Sequence, residues 1–237
     1  MNKNLLIAPV GYEGLHANWL HPARMYDICL IAYEDNVPWL YQADWAFRHD
    51  GFKYNLIYYL KTAKKNNTMQ VLDMLKYDYI FMPDPDIFIT TKQINNLFAI
   101  MKHYDLWLAQ PSMLPYNFSH PETVHQDNSY LRYTNYCEVM MPCFSKYALN
   151  ICLESFMENQ SSWGMDILWN ELLGKPEDKI AIIDEITAYH TKEIDLENGE
   201  FYKKINSNPH IDICRICDKY KIEYPNIKEY KRILKEL

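Results

Sequence analysis

Tyr77-Asp78-Tyr79-Ile80-Phe81-Met82-Pro83-Asp84-Pro85-Asp86-Ile87 is the stretch on which the reading of this 237-residue chain turns. An apolar run of strand length leads straight into Asp-Pro-Asp. Residues two apart on an extended chain point the same way, so Asp84 and Asp86 can converge. Pro83 and Pro85 donate no ladder hydrogen bond and favour ending the strand there. The pair then sits at a strand's carboxyl end, the edge where open α/β sheets place ligands. Two carboxylates about 4 Å apart repel by roughly 4 kcal/mol at an effective dielectric near 20. A divalent cation compensates them, and oxygen ligands of this kind suit Mg²⁺ or Mn²⁺, which keep waters and take further ligands from phosphates. A solvated Asp/Pro turn has the same composition, so the flanking elements must carry the argument.

Outward from this stretch, short apolar runs alternate with helical patterns. Residues 5–10, 28–33 and 56–60 read as strands, and 62–76 as a helix with Met69, Leu72, Met74 and Leu75 as its apolar stripe. After the strand 79–82, Thr91 caps a helix carrying Ile94, Leu97, Phe98 and Met101 at helical spacing, and 106–109 is the next strand. Residues 110–135, rich in Pro, His, Asn and Tyr, are too long for an ordinary connection and read as a lid-like segment. Residues 138–144 look extended, 146–157 and 164–173 helical, and 180–189 form a strand that delivers His190. The fold class expected is α/β, a mainly parallel central sheet with helices on both faces. One domain would span 1–205, with a helical C-terminal extension over 206–237 whose Lys-rich end reads as an amphipathic helix.

Composition narrows the partners. Lys+Arg 24 against Asp+Glu 31 leaves a charge of -7, which disfavours nucleic acid. The 6 glycines form neither G-x-G-x-x-G nor G-x-x-x-x-G-K, so any phosphate is held without those cradles. The 6 cysteines sit mostly within apolar runs, as reduced core cysteines do, and no apolar run approaches a bilayer span. A cytoplasmic location is expected, with peripheral membrane contact open to the basic C-terminal tail.

Two further segments bear on chemistry. His190 emerges at a strand end, where imidazole can ligate Mn²⁺ or, when charged, donate to phosphate; a structural role is the commoner one for a lone histidine. In Ser161-Ser162-Trp163-Gly164-Met165-Asp166, either serine can start a helix, Gly164 leaves room for close approach, and Asp166 falls in the first turn. Asp166 there either satisfies the helix dipole or serves as a general base, with Trp163 offering a sugar-stacking face.

Together these segments resemble the nucleotide-sugar glycosyltransferases of the GT-A type. More closely, the chain resembles the family called domain of unknown function 707, through Tyr77 to Phe81 leading to Asp84-Pro85-Asp86, Gln110-Pro111, Glu138-Val139-Met140, Pro142, Phe144-Ser145, Trp163-Gly164-Met165-Asp166, and Ile183-Asp184 followed by His190. The resemblance covers roughly 77–190. It implies that Asp84, Asp86 and His190 hold Mn²⁺ or Mg²⁺ and a donor diphosphate, that Asp166 is the base, and that Glu34 and Asp35 contact the nucleotide. Gln110, Glu138, Trp163, Gly164, His120 and Arg132 fall on the substrate side. The implied reaction is sugar transfer, by inverting displacement, from a nucleotide sugar, a UDP-sugar first, to a glycan or lipid-linked hydroxyl. An aspartate-nucleophile phosphatase or phosphotransferase using Asp84 and Asp86, and a non-catalytic sugar-binding protein of the same fold, are the rivals.

Overall fold

The computed structural model describes residues 2–64, 71–193, 208–223 and 226–236. Its strands are β1 (Asn4–Val10), β2 (Asp27–Ala32), β3 (Trp45–Arg48), β4 (Thr62–Lys64), β5 (Val71–Asp73), β6 (Tyr79–Phe81), β7 (Ile87–Phe88), β8 (Leu108–Met113), β9 (Ser129–Thr134), β10 (Cys143–Ser145), β11 (Ile180–His190) and β12 (Glu229–Leu234). Its α-helices are α1 (Lys53–Tyr59), α2 (Thr91–His103), α3 (Lys146–Cys152), α4 (Met165–Leu172) and α5 (Pro209–Tyr220).

One sheet path runs β12-β9-β11-β8-β10-β6-β1-β2-β3, with β7 paired to β11 beside it. The pairs β6/β1, β1/β2, β2/β3 and β8/β11 are parallel. β10 is antiparallel to β6 and β8, and β9 to β11 and β12. Along that path β9 and β10 alone run against the rest, so the sheet is mixed but mainly parallel. The carboxyl ends of β1, β2, β6 and β11 consequently meet at one edge.

Side-chain alternation divides the central strands between two cores. Leu6, Ala8 and Val10 of β1, Ile28 and Leu30 of β2, and Phe81 of β6 pack with Ile94, Leu97, Phe98 and Met101 of α2 on one face. Leu5, Ile7, Cys29, Ile31 and Ile80 pack with Leu56 and Ile57 of α1, Leu149 of α3, and Leu168 and Trp169 of α4 on the other. Helices thus cover both faces, and truncating one of these leucines or isoleucines to alanine costs about 2–5 kcal/mol. The cap of α2 is Thr90 rather than Thr91. Its side chain accepts from the Gln93 amide at 3.4 Å and the Gln93 side chain accepts from the Thr90 amide at 2.9 Å, a capping box.

The structure changes several sequence expectations. Residues 56–60 belong to α1 and its C-terminal end: a short apolar run fits a helix as well as a strand, and Tyr54 and Ile57 define the helical face. The helix expected over 62–76 is instead the β4/β5 ladder followed by a 3-10 turn at Met74–Lys76, with Met69 outside the described residues. Residues 110–135 are not one lid. Gln110 to Met113 complete β8 and Ser129–Thr134 is β9, both inside the sheet. Buried Gln110, Ser112, Arg132 and Thr134 gave these strands their loop-like composition. After α5 the chain adds β12 as an edge strand, where an amphipathic helix was expected; its lysine and glutamate suit an exposed edge. The buried face of α5 is Pro209, Asp212, Ile213 and Ile216, so Cys214 is exposed rather than packed. All six cysteines are free, and Cys29, Cys137, Cys143 and Cys152 are buried. Among the described residues no helix is long and apolar enough to cross a membrane.

Candidate active site

Three strand ends build a cleft at the carboxyl edge. After β1, Gly11 to Gly14 turn back with the Gly14 amide on the Gly11 carbonyl at 3.1 Å; after β2 come Tyr33 and Glu34; after β6 come Pro85 and Asp86. These residues, with Tyr12, Glu13 and Lys192, line a cavity of about 280 Å³. Gly11 is required here for space: a Cβ would lie 2.7 Å from Tyr33 Oη and 2.9 Å from Glu34 Oε2. Glu34 accepts from the Tyr12 amide at 2.7 Å, which fixes the turn.

The two aspartates of the motif have different surroundings. Lys53 Nζ donates to Asp84 Oδ1 at 2.7 Å and to the carbonyls of Val139 and Met140 at 2.8 and 2.9 Å. Burial pulls the Lys53 ammonium down and pushes the Asp84 carboxyl up, each opposed by the other's charge. Three acceptors thus surround the one ammonium. Asp86 instead lines the cavity, and its Oδ1 is buried without a hydrogen-bond partner, 3.5 Å from His190 Nε2. Burial pushes Asp86 up, but the adjacent His190 and the charge of Lys192 outweigh it and hold the carboxyl below its usual range. For His190, burial works downward and Asp86 prevails, raising the imidazole. The Asn117 carbonyl sits 3.1 Å from His190 Nδ1, which makes Nδ1 the donor there and leaves Nε2 facing Asp86.

Asp166 is buried at the start of α4. Tyr136 donates to its Oδ2 at 2.7 Å and the Ile167 amide to its Oδ1 at 2.9 Å. Burial raises its carboxyl, opposed by Tyr136 and by the charge of His120, whose ring lies 4.9 Å from that of Tyr136. Glu138 is also buried. Its amide donates to Gln110 Oε1 at 2.6 Å, while its own Oε2 has no partner. Burial pushes Glu138 up to about 7; Ser119 opposes this, Asp166 adds to it, His190 opposes it and Asp84 adds to it. Gly164, not a serine, caps α4 at φ +86, and a Cβ there would lie 3.3 Å from Ile213 Cα of α5. Ser161, expected as a helix start, donates to Asp212 of α5 at 2.6 Å.

The structure therefore gathers Glu34 and Asp86 at the cavity, with His190 facing Asp86, and groups Glu138, Asp166 and His120 in the neighbouring interior. Asp35 is turned outward in an exposed ion pair with Arg48. Arg132, expected on the substrate side, is consumed instead: it forks onto Asp184 at 2.7 and 3.0 Å and donates to the Glu122 and Val124 carbonyls. Trp163 is half-buried and its carbonyl accepts from Asn159. Sequence reasoning missed Lys53, Tyr136, Asn117, Lys192, Tyr33 and the Gly11 to Gly14 turn. The turn alone carried a readable signal, two glycines directly after the first strand.

The donor chemistry fits Mg²⁺ or Mn²⁺. The unpartnered Asp86 Oδ1 beside a histidine nitrogen offers two ligands. Among the described residues no three His, Cys, Asp or Glu side chains are grouped so as to hold a metal by themselves. Ions that bind through one or two protein groups and complete their shell with water and phosphate need no such cage.

This sheet, with its helix-covered faces and its D-x-D at the carboxyl edge, is a GT-A-like fold. S. aureus TarS, residues 1–349, superposes with a TM-score of 0.54 at 11% identity over 80% of this chain and 60% of that one. The same TarS region in complex with UDP-GlcNAc gives a TM-score of 0.51 at 10% identity, covering 92% and 72%. GalNAc-T7 with UDP, GalNAc and Mn²⁺ gives a TM-score of 0.60 at 11% identity, covering 92% of this chain and 50% of that one. The chain thus spans 60% of the first and half of GalNAc-T7, and the likeness bears on the fold alone. No family model matches the sequence and no curated protein matches it significantly, so the closer likeness to domain of unknown function 707 gains no support there.

Proposed function

We propose that the protein is a glycosyltransferase that moves a sugar from a nucleotide-sugar donor, a UDP-sugar, to an acceptor hydroxyl of a glycan or lipid-linked saccharide. The observation that carries this reading is Asp86, an aspartate of a D-x-D motif, lining a cavity at the carboxyl edge of a GT-A-like sheet with His190 beside it. The solved structures of similar fold support it, one holding UDP-GlcNAc and another UDP, GalNAc and Mn²⁺.

The nucleotide enters between the Gly11 to Gly14 turn and Glu34, with its diphosphate at Asp86, His190 and Lys192. Glu13, Glu34 and Asp86 outnumber Lys192 around that cavity, so a diphosphate arriving alone meets net repulsion there. Asp86 and His190 would hold Mn²⁺ or Mg²⁺, which would supply the missing positive charge and offset the negative charge of the departing diphosphate. Asp166 takes the acceptor's proton, oriented by Tyr136, and the sugar is transferred in a single inverting displacement. Gln110 acts on the substrate side by fixing the Glu138 backbone; Trp163 and His120 border the acceptor approach, and Gly164 packs against α5.

The test is isothermal titration with UDP in the presence and absence of Mn²⁺, followed by an assay for sugar release from a panel of UDP-sugars. Metal-dependent binding with turnover is expected. Binding without turnover would favour the sugar-binding module, and phosphate release from monoesters the phosphatase.

A further inference from the structure

We propose that the two aspartates of the D-x-D motif divide their labour: Asp84 is a counter-ion held by Lys53, and Asp86 is the one of the pair that meets the ligand. This rests on the nucleotide-sugar reading for the identity of the ligand, though the pairing itself does not.

Lys53 begins α1, and neither it nor Asp84 lines the cavity. Its side chain is 13% exposed, and its three N–H donors are matched one to one by Asp84 Oδ1 and the carbonyls of Val139 and Met140. An ammonium so satisfied has no donor left for a phosphate. Asp84 is tied through its backbone too: its amide donates to the Met140 carbonyl at 2.9 Å, and its carbonyl accepts from the Ile87 amide at 3.2 Å. Lys53 and Asp84 thereby clasp the Val139-Met140 backbone directly after Glu138. Tyr54, the next residue of α1, donates to the Val139 carbonyl at 2.5 Å and strengthens the clasp.

Asp86 faces a looser partner, His190 at 3.5 Å against the 2.7 Å of Lys53 on Asp84. It borders the cavity, and its buried Oδ1 has no hydrogen-bond partner, although Oδ1 and His190 Nε2 face each other. With Asp84 compensated from within, the cavity's carboxylates are Glu13, Glu34 and Asp86, and a second uncompensated motif carboxylate does not add to the repulsion of a diphosphate. Lys53 is a positioning residue in this scheme. It sets the charge that the cavity presents and the path of the loop bearing Glu138, without touching the ligand.

The experiment is a mutant cycle read in two ways. By urea unfolding without ligand, Asp84→Asn, which strands the 13% exposed Lys53 ammonium, should lower the folding equilibrium constant at least tenfold, and adding Lys53→Met to it should recover most of the loss, because a buried charge left alone is costly and removing both partners is not. By titration with UDP and Mn²⁺, Asp86→Asn should lose metal-dependent affinity at least a hundredfold. Lys53→Met should lose about tenfold, and Lys53→Met with Asp84→Asn should regain most of it. The proposal is overturned if Asp84→Asn, still folded, loses metal-dependent affinity as fully as Asp86→Asn. It is equally overturned if the second substitution recovers nothing in the unfolding cycle. A wild-type protein that binds no UDP with or without Mn²⁺ would sink the nucleotide-sugar reading, and the unfolding cycle would still decide whether Lys53 compensates Asp84.

Discussion

Tyr136 donates its phenolic hydrogen to Asp166 Oδ2 at 2.7 Å, so the carboxylate proposed as base is oriented by a neighbour buried with it. Burial pushes Asp166 up and Tyr136 draws it back. Asp166→Asn keeps the shape and removes the proton acceptor. Transfer should fall by about two orders of magnitude or more while UDP affinity stays within about threefold. Tyr136→Phe takes away an influence that lowers Asp166, so the acidic limb of the pH–rate profile should move to higher pH. Its activity is lost at acidic pH and recovers toward alkaline pH. Normal turnover by the Asn variant would assign the base elsewhere.

Glu138 offers a pH test that needs no substrate. Its native carboxyl stands at about 7 because of burial, against about 4.3 in an unfolded chain. Between those values the native state holds a proton that the unfolded state has released, so stability falls as pH rises. The contribution is complete below about pH 4.3 and is lost as pH climbs through about 7, a change on the order of 3 kcal/mol. Glu138→Gln should flatten this part of the urea-midpoint-against-pH curve. An unchanged slope would show that Glu138 is ionised throughout.

How much of this was legible beforehand follows from what each segment had to bury. β1, β2 and the β6 stretch into Asp84-Pro85-Asp86 could be read because both faces are apolar and proline ends the run. The position of His190 followed from the long apolar β11. The start of β8 was read within the strand expected over 106–109, but β9 and the Gln110 to Met113 half of β8 could not be, since Gln110, Ser112 and Arg132 are buried polar groups satisfied by partners distant in sequence, which no local period records. Lys53 was hidden for the same reason. It lies 31 residues from Asp84 and meets it only once α1 packs on β1 in the folded sheet.

Gly11→Ala separates binding from folding. The three atoms nearest the added Cβ are Tyr33 Oη and Cε2 and Glu34 Oε2, movable side-chain atoms around the cavity. Stability should change by no more than about 1 kcal/mol. UDP affinity should fall by about tenfold or more, because those side chains are displaced into the space the nucleotide takes. Thermal melting paired with titration checks both. A melting point that collapses, or an affinity that does not move, argues against a ligand between this turn and Glu34.

Arg132 distinguishes a substrate contact from a buried lock. Arg132 is 2% exposed; its guanidinium forks onto Asp184, which is 1% exposed, and closes the 114–128 connection by donating to the Glu122 and Val124 carbonyls. Asp184 also accepts from the Gln126 amide at 3.1 Å, so both ends of the pair are saturated by the fold. Removing one partner strands the other charge, and Arg132→Met should therefore cost about 3–5 kcal/mol. Arg132→Lys should cost less but still measurably, since an ammonium keeps the charge and loses the planar fork. In whatever fraction remains folded, UDP affinity should be that of the wild type. An acceptor-binding arginine behaves the other way, losing kcat/KM with little change in unfolding midpoint, so a urea titration set beside a transfer assay tells the two roles apart.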